Sequence, residues 1–297
     1  MALPDDVRAT SAQIAEHARS VRVDAGALDG LLRGTPPPPP ALDPERHFLE
    51  GSEADVATYL LTLDTINFGS GWWPTLRKRE VAGRTLSGYF TVAWALADRF
   101  RAHGPWTPAE LRAMRADEVA ATLGQSRDHE LMALFAQALR ALGAFLGERG
   151  ALHVVREAGG SAVRLAEALA GGMAMYDDRG FYKRAQIVPS DLALAGVARF
   201  GDLHHLSIFA DNLVPHVLRV DGVLRYDERL AAHIDAGRLV RMGAQEREIR
   251  AGAVHACRLL AQRTGVDEQT IDHWLWQRGQ EPRYKAVPRH RCRTVFY

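Results

Sequence analysis

The chain has 297 residues, 47% of them hydrophobic, enough to bury a sizeable core in one large domain or two intimate ones. Its 37 basic residues offset 36 acidic ones, a net charge of +1 that argues against a dedicated nucleic-acid or anionic-membrane binder but leaves room for a local phosphate pocket. Cys257 and Cys292 are the only cysteines, far apart and without zinc-ligand spacing, so no disulfide framework is expected and a reducing cytoplasm fits.

The stretch Met1 to Asp6 is acidic and has no apolar h-region, so no signal peptide is read there. No uninterrupted apolar run approaches the ~18 residues that span a bilayer. Residues 10–34 read as helical. Ile14, Ala15, Ala18 and Val21 form one apolar face, and Leu28, Leu31 and Leu32 continue it after a break near Asp24. Gly34 ends that segment. Pro36 to Pro40 then favour polyproline II, read as a stiff surface spacer, with a PxxP ligand as the minor alternative.

Residues 43–48 read as a loop. Ser52-Glu53-Ala54-Asp55 opens a helix to about Asn67, with Val56, Leu60, Leu63 and Ile66 facing the core. Asn67 to Pro74 combines two glycines with Phe68, Trp72 and Trp73 in an irregular turn. It reads either as a plug for the core or as a pocket for a planar ring. A small hairpin is expected around Val81 to Arg84. Helices follow at 88–102, from Thr107, at 116–123, 128–147, 151–157 and 161–171, and after Phe181 to Ala198 with a break or kink near Pro189. More are expected at 212–219, 227–236, 244–264 and 267–278, and Val295 to Tyr297 reads as a short strand. The expected fold is mainly α, globular, with little β.

No GxGxxG, GxxxxGK[ST], HExxH or GxSxG pattern occurs. His204 and His205 diverge on any regular element, and His255 and Cys257 face different ways on a helix, so no metal site is read. Three features could converge. One is the aromatic turn Phe68 to Trp73, joined by Phe48. Another is Phe181 to Ile187, where Lys183 and Arg184 sit among aromatic and apolar residues. The third is Asp211, between the apolar run Leu206 to Phe209 and a helix start. Aromatics stack rings, cations hold phosphates, and a carboxylate walled by apolar groups stabilises a developing cation. Spacing alone leaves Asp211 open between catalysis and capping the next helix, and Asp191 reads first as a solvated helix residue or cap.

Leu63-Asp64-Thr65-Ile66-Asn67-Phe68, Ser87-Gly88-Tyr89, Phe181-Tyr182-Lys183-Arg184-Ala185-Gln186-Ile187, Phe209-Ala210-Asp211 with Pro215, and the closing Pro288 to Tyr297 resemble the queuosine 5′-phosphate N-glycosylase/hydrolase family of queuosine salvage. The resemblance runs in order from about residue 45 to the last. The turn Gly69 to Trp73 departs from the Phe-Trp-type continuation of eukaryotic members. Asn212 to His216 stands where relatives tend to carry Tyr-Arg-Leu-Pro-Gln.

The resemblance implies a single helical domain related to DNA glycosylases, with 1–40 an N-terminal helical segment and spacer and 41–297 the catalytic part. It implies a small-molecule substrate, queuosine 5′-monophosphate, hydrolysed to queuine and ribose 5-phosphate without a metal; no cofactor is expected, and the charge balance speaks against nucleic acid or membrane as partner. It makes Asp211 the catalytic carboxylate. On that basis Asn67 and Asp191 are candidates for hydrogen bonds to the base, and Phe48, Phe68 and Trp73 for packing on it. Lys183, Arg184, Tyr284, Lys285 and His290 are candidates for the phosphate, and His47 joins the binding set. The alternatives are a DNA-glycosylase-like repair or nucleic-acid-binding protein, and a queuine-binding protein without catalysis.

Overall fold

The computed structural model describes residues 1–31 and 38–297. Leu32, the Gly34 stop and the first prolines of the run lie outside the described residues. The chain runs α1 (Leu3–His17), β1 (Val21–Val23), α2 (Ala25–Leu31), α3 (Glu53–Thr65), β2 (Glu80–Val81), β3 (Arg84–Thr85) and α4 (Gly88–His103). There follow α5 (Pro108–Ala113), α6 (Ala116–Leu123), α7 (Glu130–Leu146), α8 (Ala151–Glu157), α9 (Ala162–Gly172) and α10 (Lys183–Leu194). The last third holds α11 (Val214–Val220), β4 (Leu224–Tyr226), α12 (Glu228–Asp235), α13 (Ala244–Thr264), α14 (Glu268–Arg278) and α15 (Pro282–Lys285). The fold is mainly α, as expected.

Local chemistry explains most boundaries. Ser52 accepts from the Asp55 N–H while the Asp55 side chain accepts from Ser52, so a capping box starts α3. Thr107 and Glu110 do the same for α5, with Pro108 in its first turn. The expected hairpin forms as β2 against β3.

Two expectations fail. Residues 10–34 are not one helix. The helix begins at Leu3, where Pro4 and the acids Asp5 and Asp6 suit a first turn, and ends at His17. Val21-Arg22-Val23 is instead a strand, paired antiparallel with Leu224–Tyr226 in the register Val21↔Tyr226. A partner strand more than 200 residues away in sequence overrides the local helical pattern. The second failure is the tail. Val295 to Tyr297 has no strand partner, because its carbonyls go elsewhere: Val295 O accepts from Arg184 at 2.7 Å and Tyr297 O from the Gly69 N–H at 3.0 Å.

The core is continuous. α1 packs along α13, α3 against α10, α7 and α8, and α11 against α13 and α14. α7 is buried through Leu131, Phe135, Leu139, Leu142 and Leu146. Among the described residues, no single helix is long and apolar enough to cross a membrane.

Candidate active site

One buried guanidinium sets the frame. Arg250 on α13 donates to Ala210 O at 2.8 Å and pairs with Asp178 through two bonds of 3.0 and 2.5 Å. Asp178 in turn receives the backbone N–H of Lys183. Tyr182, just before Lys183, takes a left-handed backbone with φ 48°, uncommon outside glycine and asparagine. That turn swings the first residue of α10 inward. The same Arg250 therefore anchors the backbones that present Asp211 and Lys183.

Between these elements lies a cavity of about 520 Å³, in the size range of small-molecule sites. Asp211, Lys183, Asp191, Asn67, His47 and Trp73 all line it. Tyr284 and Lys285 also contribute. Asp211 caps the next helix and borders the cavity: Oδ1 accepts from the N–H groups of Leu213 (2.6 Å) and Val214 (3.4 Å) at the start of α11, and the half-buried carboxylate lines the space.

Lys183 is 3% exposed and its Nζ donates to Asn67 O at 3.2 Å. Burial lowers its pKa, while Asp211, Asp64 and Asp191 pull it back up. Its carboxylate neighbours are perturbed in the opposite sense. Burial pushes Asp64 up to about 7 against the pull of Lys183, and pushes Asp191 well above the usual carboxylate range, with Asp64 adding to the rise. Neither oxygen of Asp64 reaches a partner in bonding geometry, although the Asn67 side chain lies beside it. His47 is held neutral by burial. Its Nδ1–H donates to Asp43 O at 2.8 Å, leaving Nε2 to accept from Tyr89 OH at 3.0 Å.

Trp73 forms an aromatic wall against α4. A Cβ on Gly88 would fall 2.6 Å from its Cγ, so the first residue of α4 must lack a side chain for the indole to lie flat there. An edge-to-face cluster of Tyr89, Phe90 and Trp276 also lines the cavity, as does Phe209.

Four expected site residues are not brought to the cavity. Phe48 packs in the core on Tyr59 and Phe100, with centroids 5.8 and 5.7 Å away. Phe68 is 1% exposed and stacks edge-on to Phe135. Arg184 is spent inside the protein: it donates to the carbonyls of Thr65, Met175 and Val295 and lies over the Phe68 and Tyr176 rings. His290 is buried with both ring nitrogens unpartnered, and burial drives its pKa down to about 3, so it carries no charge for a phosphate. Tyr284 lines the cavity, but Arg278 and Asp221 occupy its hydroxyl.

The structure adds residues that sequence reasoning missed. Asp272 on α14 lines the cavity, accepts from the Phe209 N–H at 2.9 Å, and is pushed up to about 7 by burial and by Asp211. An acid at core spacing between Ile271 and Leu275 was the available signal. Arg289 lines the mouth near Asp211, 5.9 Å above the Trp73 ring, and forms no ion pair among the described residues. Lys78 and Lys285, both exposed at the same rim, are likewise without ion pairs. No group of histidine, cysteine or acidic side chains among the described residues could hold a metal ion.

A family model described as queuosine salvage protein matches residues 47–297. The chain belongs to that family. It is 34% identical to a Sphaerobacter thermophilus protein and 27% identical to a Mus musculus protein, in both cases over 100% of each chain. A Dictyostelium discoideum relative is 37% identical over 39% of this chain and 40% of its own. Each of the three is named queuosine 5′-phosphate N-glycosylase/hydrolase. The match begins at His47, the first cavity residue expected from sequence.

Proposed function

We propose that the chain hydrolyses the N-glycosidic bond of queuosine 5′-phosphate, releasing queuine and ribose 5-phosphate, with Asp211 as the catalytic carboxylate. The observation that carries this reading is the position of Asp211 in a nucleotide-sized cavity: one oxygen is fixed by two backbone N–H groups and the carboxylate faces an aromatic-walled space. Among the described residues, those that line the cavity fall between Ala41 and Arg289, which supports reading 41–297 as the catalytic part.

As the C1′–N bond breaks, its electron pair leaves with the base and positive charge grows on the sugar, as in other glycoside hydrolysis. Asp211 faces that charge. Its fixed oxygen needs no reorganisation during the step, which is the basis of electrostatic stabilisation. Water supplies oxygen to C1′ and its proton goes to the departing base. A 7-deazaguanine lacks the N7 that ordinary purines offer for protonation, so the base must be held at other edges; Asn67 and Asp191, which both line the cavity, are the candidates for that. Trp73, Tyr89 and Trp276 supply flat apolar walls for the ring system.

The phosphate falls to Arg289 and Lys285 rather than to Lys183, which is surrounded by carboxylates. Unpaired cations at a cavity mouth suit a dianion. The test is incubation with queuosine 5′-monophosphate, unmodified GMP and a short DNA duplex, with mass-spectrometric detection of free base. Queuine from the first and no base from the others is expected. Base released from DNA would favour a repair enzyme instead.

A further inference from the structure

Asp211 follows a stretch that no regular element holds. Leu206 to Ala210 is buried, yet it belongs to no helix or strand. Buried main-chain groups outside such elements need other partners, and here side chains of neighbouring helices supply them. Gln186 on α10 accepts from the Ser207 N–H at 2.9 Å. Gln269 on α14 donates to Ser207 O at 2.7 Å, and Asp272 on the same helix accepts from the Phe209 N–H at 2.9 Å. Arg250 on α13 donates to Ala210 O at 2.8 Å.

The upstream end of the stretch is held from α1. Arg8 donates through Nη2 to His205 O at 2.8 Å and to Leu206 O at 3.1 Å, and through Nε to Glu268 at 2.8 Å. Glu268 is 2% exposed and opens α14, the helix that carries Asp272. One guanidinium therefore ties α1 to two elements that meet at the Phe209 N–H: the stretch itself and α14. A planar fork with fixed donor directions can do this, and a charged donor strengthens each bond.

The same N-terminal segment also holds the chain beyond Asp211. Asp211 caps α11, and β4 follows that helix. β1 pairs with β4, the Asp24 N–H donates to Val223 O at 2.8 Å, and the Asp227 N–H donates to Ser20 O at 2.8 Å. Residues 1–31 thus grip the chain on both sides of Asp211, although among the described residues none before Ala41 lines the cavity.

We propose that Arg8 is a positioning residue for the reaction: through His205, Leu206 and Glu268 it sets where the Asp211 carboxylate stands, and residues 1–31 act with the cavity-lining part as one catalytic unit. This inference rests on the substrate reading above. A misplacement of about 1 Å at a reacting group costs on the order of 10²-fold in rate, so the loss of Arg8 is read in kcat. The cavity lining keeps its residues, so KM changes little.

The test compares wild type with Arg8→Ala, Arg8→Lys and Arg263→Ala. Arg263 donates to Ala25 O at 2.9 Å, so it holds α2 of the same segment rather than the stretch before Asp211. On queuosine 5′-monophosphate, Arg8→Ala is expected to lower kcat about 10- to 100-fold at nearly unchanged KM. Arg8→Lys, which keeps a charged donor, should recover part of kcat, and Arg263→Ala should keep it. Hydrogen–deuterium exchange on the same proteins should quicken at residues 205–214 in Arg8→Ala and not in Arg263→Ala. Unchanged kcat in Arg8→Ala, a loss that Arg8→Lys does not relieve, or an equal loss in Arg263→Ala overturns the proposal. So does exchange that rises evenly along the chain. If Arg8→Ala does not fold, Glu268→Gln decides by the same readouts, since it removes at nearly constant shape the charge that orients the guanidinium. A severalfold lower kcat at unchanged KM is then expected, and unchanged kcat overturns the proposal. Wild-type protein that releases no queuine refutes the substrate reading, and the exchange comparison still decides whether Arg8 fixes the stretch that carries Asp211.

Discussion

The two ends of the cavity are opposites. Its inner end is buried and acidic, built from Asp191 and Asp272 with Asp64 behind. Its mouth is basic, with Lys78 and Lys285 exposed and Arg289 half-buried. The chain as a whole is almost neutral at +1, so composition conceals this separation. The contrast teaches how a nucleotide, with its anionic phosphate at one end, can be oriented. On the reading proposed above, the basic mouth draws the phosphate outward and leaves the inner end to the base, with the glycosidic bond near Asp211, between the two.

The largest effect should come from the residue between the ends. Asp211→Asn is expected to keep ligand affinity and to lower kcat about 10³-fold, by removing the charge that faces C1′ at nearly constant shape. Next is the mouth. Arg289→Ala should lower kcat/KM for the 5′-phosphate by roughly 10- to 100-fold and barely change that for the unphosphorylated nucleoside. Equal losses on both substrates would remove Arg289 from the phosphate and break the contrast. Lys183→Ala should harm both substrates alike, because its ammonium lies among the inner carboxylates; a loss confined to the phosphate form would restore the direct role first expected of it.

A smaller effect tests the aromatic wall. Gly88→Ala puts a methyl group 2.6 Å from Trp73 Cγ and should displace the indole. Overpacking of this kind costs about 1–3 kcal/mol, visible as a lower Tm together with a higher KM.

The inner end also makes a pH prediction. Asp64 has a folded pKa raised to about 7. Between the ordinary carboxylate range and 7 the folded state holds a proton that the unfolded state has lost. Its contribution to stability is therefore complete at low pH and disappears as pH rises through 7. His290, depressed to about 3, acts in the reverse sense and favours folding above the ordinary histidine range. Subtracting an Asp64→Asn variant isolates the carboxylate. The variant should gain in Tm relative to wild type as pH rises from 5 to 8, and a pH-independent difference would show that Asp64 does not carry the proton.

The fold was legible where caps and periodicity agreed, as at Ser52, Thr107 and the 21-residue α13. It was illegible where long-range partners decided, as for Val21–Val23 and the tail. The site divides in the same way. Asp211, Lys183 and Asn67 lie in dense motifs, and all three line the cavity. Residue type could not say which aromatics of an irregular turn face inward: Trp73 reaches the cavity, whereas Phe68 turns to the core. Nor could it distinguish the cation that braces carbonyls, Arg184, from the one left at the mouth, Arg289, because that depends on where the tail runs. Asp272 was hidden in an ordinary helical pattern.

The most direct test of the account is a rapid-quench comparison of wild type and Asp211→Asn on queuosine 5′-monophosphate, reading free queuine by mass spectrometry and ligand affinity by titration. The account predicts queuine and ribose 5-phosphate from the wild type, and from the variant comparable affinity with release slower by about 10³-fold. Release by the variant at a near wild-type rate would contradict it, and would move the chemistry to another carboxylate of the same cavity.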